Sequence, residues 1–516
     1  MYHVVKWAKT RRTAPYLTLA LVTLGWVAAE NSMGEEPGSS PWFGIHVVDE
    51  ATGRGVPLVN LRTVSEAVYV TDSAGWAAVA EPDLAGREVF FHVSGPGYEV
   101  SADGFGYRGR RLKVVPGGTA TIKVKRTNIA ERLYRVTGQG IYRDSQLLGK
   151  DPPLELPQST AGVMGQDSVQ AVPYRGKVFW LWGDTSLSNY PLGNFHTTCA
   201  TSPLPGEDSF SPDSGVPLNY FMSSSDRARV RKMMPLDEPG VGWIFGVANI
   251  EGPEGKETIV GHYARLKGLG ELLEHGLARF DDEAGRFRHI RKLDISDKWR
   301  HPRGNAVRVT VNDIDYLYFC QSFANVRVCA NYESFVDPDA YEALTWNAQA
   351  KEYQWQRDAA PTSQKQEYHL LEQDAMPPEK AIYQLRDADT GQAVSLHRSS
   401  IAFNKYRNRW ILIGCQEGER DAPSYLGEIW YAEAESPEGP WHAAVKVASH
   451  PKYSFYNPRQ HPFMSAEGGR IIYFEGTYTR QFSSAPVPTP RYNYNQLMYR
   501  LDLDDARLSP SHGKSK

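Results

Sequence analysis

The stretch from Asp167 to Thr185 reads DSVQAVPYRGKVFWLWGDT. An apolar strand runs into the tight turn Arg175-Gly176, and a second strand rich in aromatics runs out of it. The pattern returns as NAVRVTVNDIDYLYFCQ from Asn305, SSIAFNKYRNRWILIGCQ from Ser399 and HPFMSAEGGRIIYFEGTYT from His461. A weaker copy, WIFGVANIEGPEGKETIVGHYARL, starts at Trp243. Between the copies lie candidate outer strands, HGLARFDDEAGRFRHI from His275 and GEIWYAEAESPEGPW from Gly427. Repeated small sheets that leave no edge open predict a β-propeller, and the copies predict five blades within residues 128–508. RLYRVTGQGI, from Arg132, and QLMYRLDLDD, from Gln496, are expected to close the ring by sharing one blade. A large β-sandwich or a β-helix is the competing architecture. The wide separation of the copies fits a β-helix badly.

Outward from this core, the 516 residues are too many for one ordinary domain. With 41% hydrophobic and 23% charged residues the chain is globular rather than disordered or collagen-like. Its 13 Trp and 28 Tyr suit sheets and sugar-facing surfaces. Lys and Arg number 57 against 60 Asp and Glu, so there is no basic surplus to hold nucleic acid. Residues 1–29 combine Lys6, Lys9, Arg11 and Arg12 with a short apolar run ending at Ala28-Ala29, the pattern of a secretory signal peptide. An uncleaved N-terminal anchor is the alternative. Loss of that segment takes the net charge from −3 to −7, since it holds four cations and no acid. A secreted, periplasmic or cell-surface protein is expected, with no membrane contact after cleavage. Residues 30–40 (ENSMGEEPGSS) read as a linker, and 509–516 as a disordered tail. Cys320 and Cys329 flank a predicted hairpin, so a cross-strand disulfide and free buried thiols are both open, as they are for Cys199 and Cys415.

From residue 41 to 126 short strands alternate with turns and no helical period appears, which predicts a small β-sandwich. The runs VVDEATGRGVPLVNL from Val47, TDSAGWAAV from Thr71 and GPGYEV from Gly95 resemble carboxypeptidase-regulatory or transthyretin-like modules. Such modules are usually accessories, so no chemistry is expected there.

Residues 434–441, AESPEGPW, together with QDSV and GKVFWLWGDT in the first copy, resemble five-bladed glycosidase propellers of the arabinanase, xylosidase and levansucrase type, and related secreted propellers. The resemblance implies an all-β, five-bladed propeller whose active site lies in the central funnel. Glycoside hydrolysis needs two carboxyl groups. Asp167, at the first strand entry, takes the position of the general base, where the family pattern has Asp-Pro and this chain has Asp-Ser. Glu251, in Glu-Gly-Pro, resembles the general-acid motif. Glu475, inside an apolar run, is the other candidate acid, because burial raises a carboxyl pKa. Asp184 ends an aromatic strand and is a candidate for tuning the site. The plainer readings are turn caps for Asp167 and Asp184, an exposed turn for Glu251 and a structural ion pair for Glu475.

His301, His397 and His461 recur near predicted inner-strand starts. With Arg303, Arg398 and Arg459 they could bind sugar hydroxyls or carboxylates, or hold a central cation such as calcium; singly, each reads as bonding neighbouring backbone. Trp182 and Tyr478 are candidate sugar-stacking rings, although most propeller tryptophans are core. No cofactor and no metal site of Cys/His spacing is indicated. The expected partner is a polysaccharide or oligosaccharide, and the expected activity that of a glycoside hydrolase. Alternatives are a non-catalytic carbohydrate-binding or scaffold propeller and a polysaccharide lyase.

Overall fold

A computed structural model describes residues 40–511, except 155–160, 207–208, 225–228, 269 and 419–424. The expected signal peptide, the linker as far as Ser39 and the last five residues of the expected tail lie outside the described residues. No described helix is long and apolar enough to cross a membrane.

Five sheets follow one another along the chain and form a propeller. Their first strands are Gln170–Tyr174, Val241–Glu251, Asn305–Val311, Leu396–Asn404 and Ser454–Gln460. Each is followed by antiparallel neighbours further out. The two-residue loops Arg175-Gly176 and Asn312-Asp313 place both residues at positive φ, the reversal that matches strand twist. The fifth sheet is Ser454–Gln460, Ile471–Thr479, Asn495–Asp502 and, outermost, Glu131–Arg135. One blade therefore joins the two ends of the ring.

A ring, rather than a row, follows from the cores. One apolar cluster lies between each successive pair of sheets, from first against second round to fourth against fifth. A further cluster packs Trp180 and Trp182 of the first sheet on Tyr134, Tyr473 and Met498 of the fifth. Hydrogen bonds link the inner strands in the same order. Gln170 Oε1 accepts from Val247 N (3.0 Å), Asn249 O from Arg308, Ser399 O from Asn305 Nδ2, and Ser400 Oγ from Gln460 N (2.8 Å). Arg459 Nη2 closes the circle on Ala171 O at 3.2 Å.

Ahead of the ring, residues 43–126 form two four-stranded sheets over one shared core. Leu58 and Val70 of this module also pack into the cluster between the fourth and fifth blades. Residues 40–511 thus belong to one compact unit.

Three details differ from the sequence reading, and one open alternative, at the cysteines, is resolved. The inner strand of the last blade is Ser454–Gln460, upstream of the His461 copy; Pro462 and the positive φ values at Glu467, Gly468 and Gly469 turn that copy's opening into two 3-10 turns. An α-helix, Gln364–Glu372, interrupts the strands between the third and fourth blades. Cys320 stands opposite Ala324 and Cys329 opposite Tyr316, and all four cysteines are free. A 3-10 turn continues to Ser511 with Leu508 buried, where the tail was expected to begin at 509.

Candidate functional site

The starts of the inner strands converge on a cavity of about 210 Å³ at the ring centre. Each blade contributes: Asp167, Ser168 and Gln170 from the first, Trp243 and Phe245 from the second, Arg303 and Asn305 from the third, Arg398 and Ser399 from the fourth, Asn457 from the fifth. A wider groove of about 860 Å³ shares Arg303, Gly304 and Arg398 with it, so those residues stand where the two spaces meet.

Irregular backbone aims these side chains. The second, fourth and fifth inner strands slip register at Phe245/Ala248, Leu396/Arg398 and Tyr456/Arg459. A bulge inserts an unpaired residue and re-aims its neighbours, which suits a strand that must present Arg398 or Asn457 to a cavity. Ser168 and Asn457 both hold positive φ, at 55° and 52°, and Asn457 Nδ2 donates to Ser168 Oγ at 2.7 Å. Two strained residues bonded across the ring seam are the kind of backbone cost that functional sites retain.

Asp167 is the carboxylate of the cavity. Its Oδ2 accepts from Tyr456 OH at 2.8 Å and its Oδ1 from Asp184 N at 2.9 Å. Burial pushes it above the usual carboxylate range, against the downward pull of hydrogen bonds from Tyr456, Tyr494 and the Asp184 amide. Asp184 lies behind the lining residue Gly183, 6% exposed, and accepts from Trp243 Nε1 at 3.0 Å. Burial first, and the charge of Asp167 second, push it up to about 8. These two carboxyls titrate as a pair, and each makes ionisation of the other harder. Gly183 is required by close approach: a Cβ there would stand 2.5 Å from Asp167 Oδ1.

The other expected residues divide. Arg303 lines the cavity, its guanidinium over the Phe245 ring at 5.3 Å. His301 borders the groove but is 2% exposed, donating or accepting at Tyr263 O (2.8 Å) and stacked on His275. Glu475 does not line the cavity. Its Oε1 lies 2.7 Å from His461 Nε2, both side chains fully buried, and Trp180 packs edge-on against the histidine. Burial lowers His461 below its ordinary value in spite of that carboxylate. This buried hydrogen bond gives Glu475 a structural role, and it withdraws His461 from the funnel as well. Glu251 is exposed at the far end of its strand, six residues beyond Phe245, roughly 20 Å along an extended chain. Arg459 is buried on Ala171 O, Trp182 is stacked on Trp180 in the core, and Tyr478 is stacked on Tyr453 and bonded to Thr489. None of these three lines the cavity or the groove. The three histidines do not gather, and among the described residues no three His, Cys, Asp or Glu side chains are placed to hold a metal ion.

Sequence reading missed Asn457, Tyr456, Trp243 and Gly183. Asn457-Pro458 breaks the alternation of its strand, and that break was the available signal. Glu417, the acid lining the wider groove, gave no signal at all.

No protein-family model matches the chain, and no curated protein matches it. Among solved structures it is similar to an exo-β-1,3-galactanase from Phanerochaete chrysosporium, at 11% identity over 66% of this chain and 61% of that one, with TM-score 0.35. It is similar also to the GH43_1 enzyme from Xanthomonas citri, at 10% identity over 68% and 88%, with TM-score 0.32. An endo-1,5-α-L-arabinanase from Thermotoga petrophila matches at 12% identity over 66% and 72%, with TM-score 0.32. At these identities and scores no residue role carries across.

Proposed function

We propose that the protein is an exported glycan-acting hydrolase, with the Asp167–Asp184 pair as its reactive carboxyls and an accessory sandwich module at its N-terminal side. The observation that supports this most is the coupling of two carboxyls, Asp167 on the cavity wall and Asp184 behind it, joined by the Asp184 amide and with Asp184 pushed up to about 8. Hydrolysis of a glycosidic bond needs one group that gives a proton and one that takes a proton or attacks. Two carboxyls coupled through their charges ionise in separate steps, so one is a carboxylate while the other still holds its proton. Asp167 faces the cavity and meets the sugar directly. Asp184, behind it, acts through its charge on the ionisation of Asp167. Glu417 is the further carboxyl within the adjoining groove and is the acid to test beside them. A lyase needs no such pair, so the coupling favours hydrolysis.

A panel of plant and algal polysaccharides, read by new reducing ends, tests the reading. Asp167→Asn and Asp184→Asn are each expected to cut turnover by about a hundredfold or more with an unchanged circular dichroism spectrum. Wild-type turnover should fall as pH rises past about 8, where Asp184 loses its proton. Unsaturated uronate absorbance without new water-derived reducing ends would instead mean elimination.

A further inference from the structure

Arg303 and Arg398 have no anionic partner. Among the described residues neither makes an ion pair, and Arg398 Nη1 is buried without any hydrogen-bond partner. A guanidinium carries five donors and cannot shed its charge, so a buried unmatched one is costly unless something binds it. The two guanidiniums also repel each other, and burial together with that repulsion pulls Arg398 down to about 10. Both stand where the funnel cavity opens into the groove. The groove adds Lys298 and Lys365 and has Glu417 as its single acid among the described lining residues. Two half-buried forks of donors, close together and unsatisfied, fit an oxyanion bidentately.

We propose that the glycan entering this funnel is acidic, and that Arg303 and Arg398 recognise an oxyanion on it, the carboxylate of a uronate or a sulfate ester. This rests on the reading of the funnel as a glycan site. A neutral sugar would leave both guanidiniums desolvated and unpaired, whereas an anionic residue discharges them on binding. Asp167 then meets a sugar anchored by its charge on the opposite side of the cavity.

Equilibrium titration of the full chain carrying Asp167→Asn tests this. The probes are oligogalacturonates, carrageenan oligomers, and neutral galacto-, xylo- and arabino-oligosaccharides. At least one anionic oligomer is expected to bind on the order of tenfold to a hundredfold more tightly than every neutral one. The preference should shrink as salt rises. Arg398→Gln and Arg303→Gln should each abolish it, with Arg398→Lys keeping part. Uronate against sulfate oligomers separates the two sources of the anion. If Arg398→Gln does not fold, Arg303→Gln and the salt series still decide. Equal or tighter binding of a neutral oligomer overturns the acidic-substrate inference and leaves the glycan reading standing. Binding of none of the probes overturns both.

Discussion

Asp184 pairs a nearly neutral-range pKa with a structural position behind Gly183, and its ionisation is a stability term as well as a catalytic one. Its carboxyl sits at about 8 in the folded chain against an ordinary 3.8. A raised carboxyl contributes stability that is fully present below about pH 4 and is lost as pH climbs through about 8. Asp184→Asn removes the titration, so the variant should melt above wild type at pH 8–9 and close to it at pH 4. Parallel melting curves across that range would refute the assignment. Gly183→Ala, with its Cβ driven against Asp167 Oδ1, should lower turnover at least tenfold with little change in fold, since a small displacement of a reacting group is expensive. Glu475 behaves otherwise. Glu475→Ala strips the buried His461 of its hydrogen-bond partner and should cost about 1–3 kcal/mol in chemical denaturation, while turnover per folded molecule stays within a few fold. The contrast shows how far single residues were legible. Asp167 was readable because strand entries face the funnel. Glu475 looked equally apt, since an apolar run implies burial but does not say on which side of the blade the carboxyl is buried.

The repeated hairpins were legible as elements because alternation and turn chemistry are local, as at Arg175-Gly176 and Asn312-Asp313. The fifth inner strand was not, because Asn457 at positive φ and Pro458 break the alternation that identifies a strand. The helix Gln364–Glu372 carried a readable signal that went unused, a capping box between Ser363 and Gln366. What fixes that helix in place is not legible locally. Glu367, fully buried, accepts from Ile382 N, Tyr383 N, Gln384 Nε2 and Tyr353 OH, at 2.6–2.9 Å. These donors come from a strand before the helix and a segment after it. Glu367→Ala leaves four donors with no acceptor, so a loss of at least about 3 kcal/mol in urea unfolding is expected. Gln364 of the same helix lines the groove beside Tyr368, so the variant should also weaken oligosaccharide binding. A stable variant with intact binding would mean that the helix is held by its apolar contacts instead.

On the scale of the whole molecule the N-terminal module is stitched to the ring rather than hung from it. Arg132, in the outermost strand of the closing blade, donates to the carbonyls of Pro57 and Pro96 and lies over the Tyr98 ring. Tyr492 OH reaches Thr71 O, and Asp72 accepts from both the amide and the hydroxyl of Ser145. Leu58 and Val70 sit in the same cluster as Ile129, Tyr492 and Leu497 of the ring. The strand Glu131–Arg135, which closes the fifth sheet, is therefore covered on one side by the module. Sequence composition separated the two parts because strand patterns restart near residue 128, but such patterns carry no information about what covers an outer strand. Burial of Leu58 and Val70 is worth roughly 1.5–3 kcal/mol each, and the charge-assisted bonds of Arg132 add about as much again. That sum is a large fraction of the 5–15 kcal/mol typical of a folded chain. A protein beginning at Asn128 should then unfold about 10 °C or more below the full chain, or fail to fold, and Arg132→Ala in the full chain should reproduce part of the loss. Calorimetry of the full chain should show one transition. Two separated transitions, with a soluble and equally stable truncated protein, would show that ring closure by Glu131–Arg135 needs no cover and that the module's contacts are incidental to the propeller.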